Sequence, residues 1–367
     1  MAGKKNTQAS RGKSPIMRKI RAKMARIGID GLLLSDEQNI RYLTGFHFSG
    51  VLLVDAGKND PLYFVNPMNA SQAEKLLGGA EITVITAPKT PIAALAEYIG
   101  SRKIKKVGIN PEKISIAAHD RLVSLMPKVK FVTRVGTTGM SSVLECVREI
   151  KSPEEIRILR KAGQITIRIW RDVCRKIKTG MSEKEIAAMV DICVRRLGHE
   201  NSFPTIAAVG VNTAYPHAIP TSRRLKKDEH LLVDFGIRYQ GYCSDLTRIY
   251  DNGRIDRQIR VFRKSVEKAL DSAVKRIKDG VGIRPLVEGA DDVLRSGGQE
   301  ADILHGLGHG VGLDVHERPF LNRSSREKLV KGMVVTVEPG LYKPGVGGVR
   351  LEDMVLVTAK GCEVLTR

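Results

Sequence analysis

Residues 231–248 read LLVDFGIRYQGYCSDLTR, and in them two carboxylates, Asp234 and Asp245, interrupt apolar runs of strand-like character. A turn must lie between them. A two-residue turn centred on Tyr239-Gln240 sets residue 234 opposite residue 245, so both side chains project side by side from one face of a hairpin. The pattern returns in residues 335–353, VTVEPGLYKPGVGGVRLED, where Glu338 and Glu352 flank a turn centred on Gly345 at equal offsets. Pro339 and Gly340 interrupt the ladder of this second pair. Any one of the four would pass for a solvated acid at a strand end. Two such pairs, each inside an apolar run, do not fit a solvated face.

Four carboxylates brought together carry about −4 charge, and burial without cations would force several to take up protons. Two divalent ions roughly 3.5–4 Å apart would cancel that charge, the arrangement used in two-metal hydrolysis. An imidazole donor is available in residues 305–317, HGLGHGVGLDVHE. His305 and His309 are four apart, but Gly306 stands where the glutamate of a helical HExxH zinc site would be, and the alternating glycines oppose a helix. Glycine there lets backbone and substrate approach closely.

Working outward, a chain of 367 residues is long for one hydrophobic core, so two domains are expected. Residues 1–16 are polar and basic and read as a disordered tail. A helix follows from Met17 to Gly28. Short apolar runs at 31–34, 51–54, 62–65, 82–85 and 107–109 read as strands of an α/β layer that ends near Arg134, giving a first domain over 17–137. Its lone His47 and His119 read as structural. A linker is expected over 138–152, and a second domain over 153–367. Ser152 and Ser182, each three residues before a glutamate, open helices running to about Lys178 and to Gly198, and a third helix spans 256–278.

The net charge is +21, and nine Lys or Arg fall in residues 1–28 without an Asp or Glu, so about +12 remains on the rest. Aromatic residues are 5%, and no aromatic-interleaved basic patch offers bases a stacking platform, so nucleic acid is disfavoured as a partner. No run of roughly 18 apolar residues suits a membrane span and no secretory leader is visible, which points to the cytoplasm. The five cysteines, Cys146, Cys174, Cys193, Cys243 and Cys362, are scattered and read as reduced thiols.

In five ordered blocks the sequence resembles the pita-bread metallopeptidase family, which includes aminopeptidase P, prolidase and methionine aminopeptidase. The blocks are Tyr215-Pro216-His217-Ala218, Val233-Asp234-Phe235-Gly236, Ser244-Asp245-Leu246-Thr247-Arg248, the glycine/histidine block ending at His316, and Glu338 with Glu352. The first half, notably Asn39-Ile40-Arg41-Tyr42-Leu43-Thr44-Gly45, is similar to a creatinase-type amino-terminal domain. The resemblance implies an α/β creatinase-like domain followed by an α+β pita-bread catalytic domain with a curved, mainly antiparallel sheet. It implies that Asp234, Asp245, His309, Glu338 and Glu352 ligate two divalent ions, Asp245 and Glu352 bridging them, with Mn2+ expected and Co2+, Zn2+ or Fe2+ able to substitute.

It further implies that His217 and His316 contact substrate and stabilise the tetrahedral intermediate, that Glu338 shuttles a proton, and that His305 contributes to substrate binding. Arg350 is similar to an arginine of proline-directed members, pairing with a substrate carboxylate or with an acidic neighbour. The expected reaction is hydrolysis of Xaa-Pro bonds in small peptides with proline second, by a metal-bridging hydroxide, in a homodimer. Lys227-Asp228 and Ile303 depart from the family pattern without touching a ligand position. The alternatives are a methionine aminopeptidase, which usually lacks the first domain, a metal-free creatine-type hydrolase, which does not retain these ligands, and a nucleic-acid- or ribosome-binding protein on the same fold.

Overall fold

Met17, Ile20 and Met24 recur at helical spacing and are buried together along one face of helix α1 (Pro15–Ile27), which ends where Gly28 turns left-handed at φ 74°. The computed structural model describes residues 15–57, 59–78, 82–102, 104–133, 143–297 and 301–367. The chain forms two compact units, Met1–Arg148 and Glu149–Arg367.

In the first unit α1 is followed by β1 (Gly31–Leu34), α2 (Glu37–Thr44), β2 (Gly50–Asp55), β3 (Leu62–Val65), α3 (Pro67–Leu77), β4 (Thr83–Thr86), α4 (Pro91–Gly100), β5 (Lys106–Ile109), α5 (Ile116–Leu125), β6 (Lys130–Val132) and α6 (Val143–Arg148). The strands form one sheet in the order β4-β3-β2-β1-β5-β6. β1 runs antiparallel to β2 and parallel to β5, so helices must carry the parallel crossovers. Leu53, Phe64 and Val107 from the sheet pack with Leu95, Ile99 and Leu122 from α4 and α5. This is the α/β layer read from the sequence. The expected tail falls on residues 1–14, which lie outside the described residues, and on Pro15 and Ile16, which open α1. Of the interval expected as a linker, residues 138–142 also lie outside them. Residues 143–148 of it are helical because Val143, Leu144 and Val147 find buried positions.

The second unit opens with α7 (Pro153–Cys174) and α8 (Glu183–Arg196), each with the capping box read from the sequence, Ser152 with Glu155 and Ser182 with Glu185. Such a cap contributes about 1 kcal/mol. Then come β7 (Glu200–Asn201), β8 (Ile206–Val209), a 3-10 turn over 210–214, β9 (Glu229–Phe235), β10 (Ile237–Tyr239), β11 (Tyr242–Cys243) and β12 (Leu246–Asn252). Helices α9 (Arg257–Arg276) and α10 (Ile283–Arg295) lead into β13 (Gly308–Gly310), β14 (Glu317–Leu321), β15 (Val334–Val337), β16 (Gly340–Lys343), β17 (Gly347–Arg350), β18 (Asp353–Val357) and β19 (Cys362–Val364). The strands pair antiparallel in the orders β12-β9-β8, β11-β10-β7, β14-β13-β15-β18-β19 and β16-β17. The unit has the pita-bread class expected.

Its two halves are built alike. Gly180, left-handed at φ 90°, donates to the Leu225 carbonyl and Gly280, at φ 82°, to the Leu329 carbonyl. Leu225 and Leu329 answer by donating to Met181 and Val281. In each half a helix starts just after this clasp, α8 in one and α10 in the other. Separate cores sit behind them. One gathers Val173, Ile186 and Val190 with Val233 and Phe235, and the other Phe262, Val266 and Leu286 with Val335 and Val355.

The register of the first carboxylate hairpin corrects the expectation by two residues. Asp234 lies opposite Thr247, and Arg238 opposite Cys243, so the turn centres on Gln240-Gly241. Both turn residues have positive φ, 50° and 88°, as a tight hairpin turn of matching twist requires, and the glycine takes the more left-handed place. A slip of two preserves the face of every side chain. In the second hairpin Gly340 faces Arg350 and Val337 faces Asp353, so the register that places 338 against 352 holds on both sides of the interruption at Pro339.

Gly236 sits where this arrangement allows no side chain: a Cβ there would lie 1.8 Å from the Ser244 carbonyl oxygen. Gly236→Ala is expected to cost at least about 2 kcal/mol, since the clash is with backbone. Gly361→Ala, at a position with open space around it, should stay within about 0.5 kcal/mol. Urea denaturation of both variants checks the pair.

Candidate metal centre

Strand β9 delivers Asp234, the segment between β11 and β12 delivers Asp245, β13 carries His309, and Glu338 and Glu352 flank the β16–β17 hairpin. All five line one cavity of about 310 Å³. His217, His305, His316 and Arg350, the other residues singled out in the sequence, line it too. Side-chain donor atoms of Asp245, His309 and Glu352 lie within 4.8 Å of one another. His305 and His309 are not a helical pair: Gly308–Gly310 is a strand, and a Cβ at Gly308 or Gly310 would meet a carbonyl oxygen of the neighbouring strand at 2.1 or 2.2 Å. Close backbone approach is what the glycines permit.

The His309 Nδ1 lies 3.1 Å from the Gly310 carbonyl, so it must carry a proton, and Nε2 is left to face the carboxylates, 3.3 Å from Glu338 Oε1 and 3.7 Å from Asp245 Oδ2. Burial works against its charge, but the hydrogen bond and charge of Glu338 win and raise its pKa. Burial likewise opposes the charge of Glu338, yet the hydrogen bond and charge of His309, with Arg350 behind it, pull it down to about 2. Asp245 and Glu352 fare otherwise. Burial pushes both well above the usual carboxylate range, and repulsion from neighbouring carboxylates adds to it. Asp234 is raised by burial against the opposing pull of Arg350.

Arg350 is 3% exposed. Its Nη2 donates to Asp234 Oδ2 at 2.6 Å, Nη1 to the Pro216 carbonyl and the Tyr342 hydroxyl, and Nε to Thr247 Oγ1 at 3.0 Å. The acidic neighbour expected as one of two partners is therefore Asp234. Tyr342 in turn donates to His305 Nε2 at 2.7 Å, because His305 Nδ1 is committed to the Gly306 carbonyl. His305 is therefore a neutral acceptor, and burial lowers its pKa in the same sense. The His316 ring stands edge-on to His309 with centroids 4.3 Å apart, and burial followed by the charge of His309 lowers its pKa.

Sequence reasoning missed Thr247 and Tyr342. Thr247 was within reach, since the correct turn places it opposite Asp234, whereas nothing local marks Tyr342. Asp234 Oδ1 is buried and has no hydrogen-bond partner among the described residues. A buried orphan oxygen, two carboxyls that burial and mutual repulsion disfavour as anions, and an imidazole nitrogen facing them fit hard divalent cations with one nitrogen donor.

The profile of metallopeptidase family M24 matches residues 157–359, and that of the creatinase/prolidase N-terminal domain matches residues 17–148. The uncharacterized peptidase YqhT of Bacillus subtilis is 32% identical over 352 residues, 95% of this chain and 97% of that protein. Among solved structures, a Xaa-Pro dipeptidase from Bacillus anthracis is 32% identical with TM-score 0.88, covering 96% of this chain and 97% of the other. An X-Pro aminopeptidase from Thermotoga maritima is 30% identical with TM-score 0.83, over 94% and 97%.

The raised carboxyls fix a pH dependence. A group whose pKa is higher folded than unfolded supports the fold at low pH, and that support is lost as pH rises through the folded value. For Asp245 and Glu352 the loss begins above the ordinary carboxylate range, about pH 4. His309, also raised, acts in the same direction, whereas Glu338 acts only below that range. Cations that pair with the ionised forms remove the loss. The difference in melting temperature between Mn2+-loaded and chelated protein should therefore widen steadily from pH 5 to pH 8 in scanning calorimetry. A constant or absent difference would contradict the assignment.

Proposed function

The chain belongs to metallopeptidase family M24, a hydrolase working with divalent metal ions, and from that premise we propose that it cleaves Xaa-Pro bonds in small peptides with proline second. The observation that carries the reading is the convergence of Asp234, Asp245, His309, Glu338 and Glu352 on one cavity, with Asp234 Oδ1 left without a partner. These five residues would hold two cations, Mn2+ being the hard ion that suits four carboxylates and one imidazole. When bound, the ions supply Lewis acidity, lowering the pKa of a water and polarising the scissile carbonyl.

The chain's own residues do the rest. Glu338, whose carboxyl is held far below neutrality, takes the proton of the attacking water and passes it to the departing nitrogen. His316, neutral because burial and His309 disfavour its charge, has one N–H to offer the developing oxyanion, and His217 on the same cavity holds the substrate. Removing a donor of this kind commonly costs about 3 kcal/mol in the transition state. Arg350 holds Asp234 in place and lines the cavity where a substrate carboxylate would lie. Proline offers no N–H and fixes φ, so peptidases that grip extended backbone handle it badly and a dedicated pocket is needed. The two solved structures named for Xaa-Pro substrates align with both units of this chain, which favours that reading over a methionine aminopeptidase.

The test is to strip the protein with chelator, reload it with Mn2+, Co2+, Zn2+ or Fe2+, and assay Ala-Pro, a longer Xaa-Pro peptide and a methionyl peptide. Cleavage before proline should return with Mn2+. Asp245→Asn and Glu352→Gln should each lower kcat/KM at least about a hundredfold, no less than the loss of one transition-state donor. Rapid methionyl cleavage without Xaa-Pro cleavage would replace the proposal with its rival.

A further inference from the structure

Thr247 is fully buried on β12, directly across from Asp234 on β9. Its hydroxyl stands between two charged side chains: Arg350 Nε lies 3.0 Å from Oγ1, and Oγ1 lies 2.9 Å from Glu352 Oε2. The chemistry of the groups fixes the direction of both bonds. A guanidinium can only donate, so the hydroxyl oxygen accepts from Nε–H, and once Glu352 is ionised, the form in which it would hold a cation, the hydroxyl proton goes to Glu352 Oε2. Oε2 is thereby held as an acceptor. The main chain of the same residue grips Glu352 again, since the Glu352 N–H donates to the Thr247 carbonyl at 3.2 Å. That carbonyl also takes a bond from Arg248 Nη1, which reaches the Glu352 carbonyl as well.

On the far side, the guanidinium that donates to Thr247 donates through Nη2 to Asp234 Oδ2, which leaves Oδ1 as the free oxygen. One hydroxyl thus fixes a carboxylate contributed by each half of the catalytic unit. Neither Asp234 nor Glu352 has another side-chain hydroxyl bonded to it in the described structure.

We propose that Thr247 is a positioning residue, whose hydroxyl sets the orientation of Glu352 directly and of Asp234 through Arg350, so that cation uptake depends on it although the fold does not. The inference rests on the reading of Asp234 and Glu352 as cation ligands. Valine matches threonine in shape and lacks the hydroxyl, so Thr247→Val leaves a guanidinium N–H and a carboxylate oxygen without their shared partner. Serine keeps the hydroxyl and loses only a methyl.

The experiment is calorimetric titration of chelated wild type, Thr247→Val and Thr247→Ser with Mn2+, with circular dichroism and thermal melts confirming the fold. Thr247→Val is expected to bind Mn2+ at least about tenfold more weakly, the effect typical of losing a group that orients a ligand, and Thr247→Ser to stay within about threefold of wild type. Should Thr247→Val not fold, Thr247→Ala removes the same hydroxyl without a misplaced methyl and is measured in its place. Wild-type affinity in the variant lacking the hydroxyl overturns the proposal, as does an equal loss in Thr247→Ser. Failure of both the valine and alanine variants to fold also overturns it, because the hydroxyl would then serve the core. Absence of Mn2+ uptake by wild type would instead remove the metal-centre reading on which the inference stands.

Discussion

Crowding of like charge in a buried place governs the catalytic unit. Asp234, Asp245, Glu338 and Glu352 share one cavity, the first two and Glu352 buried and Glu338 half-buried. In such a medium, repulsion between carboxylates is not relieved by solvent, so the set is tolerable only with protons or cations among its members. The surrounding features answer to that pressure. Arg350 brings a permanent positive charge against Asp234, and His309 can bring a second against Glu338. Neither suffices for Asp245 and Glu352, which remain pushed toward their neutral forms.

The same pressure explains why polar hydrogen bonding behind the ligands is so complete. A ligand that must accept a cation cannot be free to rotate toward its neighbours, because the wrong rotamer raises the repulsion further. Thr247, Arg350, Tyr342 and His305 form one continuous chain of bonds with donors and acceptors matched at every link. Its polarity follows from the Arg350 guanidinium, which donates in both directions, and from the Gly306 carbonyl at the far end, which only accepts.

Much of this was legible in the sequence, and for reasons that can be named. The strands at 31–34 and 62–65 are apolar throughout and bounded by turn residues, so their limits coincide with those observed. The capping boxes at Ser152 and Ser182 are local hydrogen-bond patterns and therefore visible as residue spacing. Helix α10 escaped because it begins at Gly282 without a side-chain cap and carries Pro285 in its first turn. The first hairpin slipped by two because Gln240, a residue without a strong turn preference, adopts positive φ beside Gly241. Asp234 and Asp245 were still placed on one face of their hairpin, since an even slip leaves alternation intact. Thr247 was missed because the slipped turn set Asp245 opposite Asp234 in its place, and Tyr342 stayed hidden because its partners Arg350 and His305 are fixed by no local spacing.

The mirrored clasps at Gly180 and Gly280 give the metal site a mechanical meaning. Asp234 and Asp245 come from the first half of the unit and His309, Glu338 and Glu352 from the second, and the core behind the second half also takes in Leu232 and Ile249 from the first. Ions held by these five residues would tie the two halves together at the cavity, in addition to the core they already share.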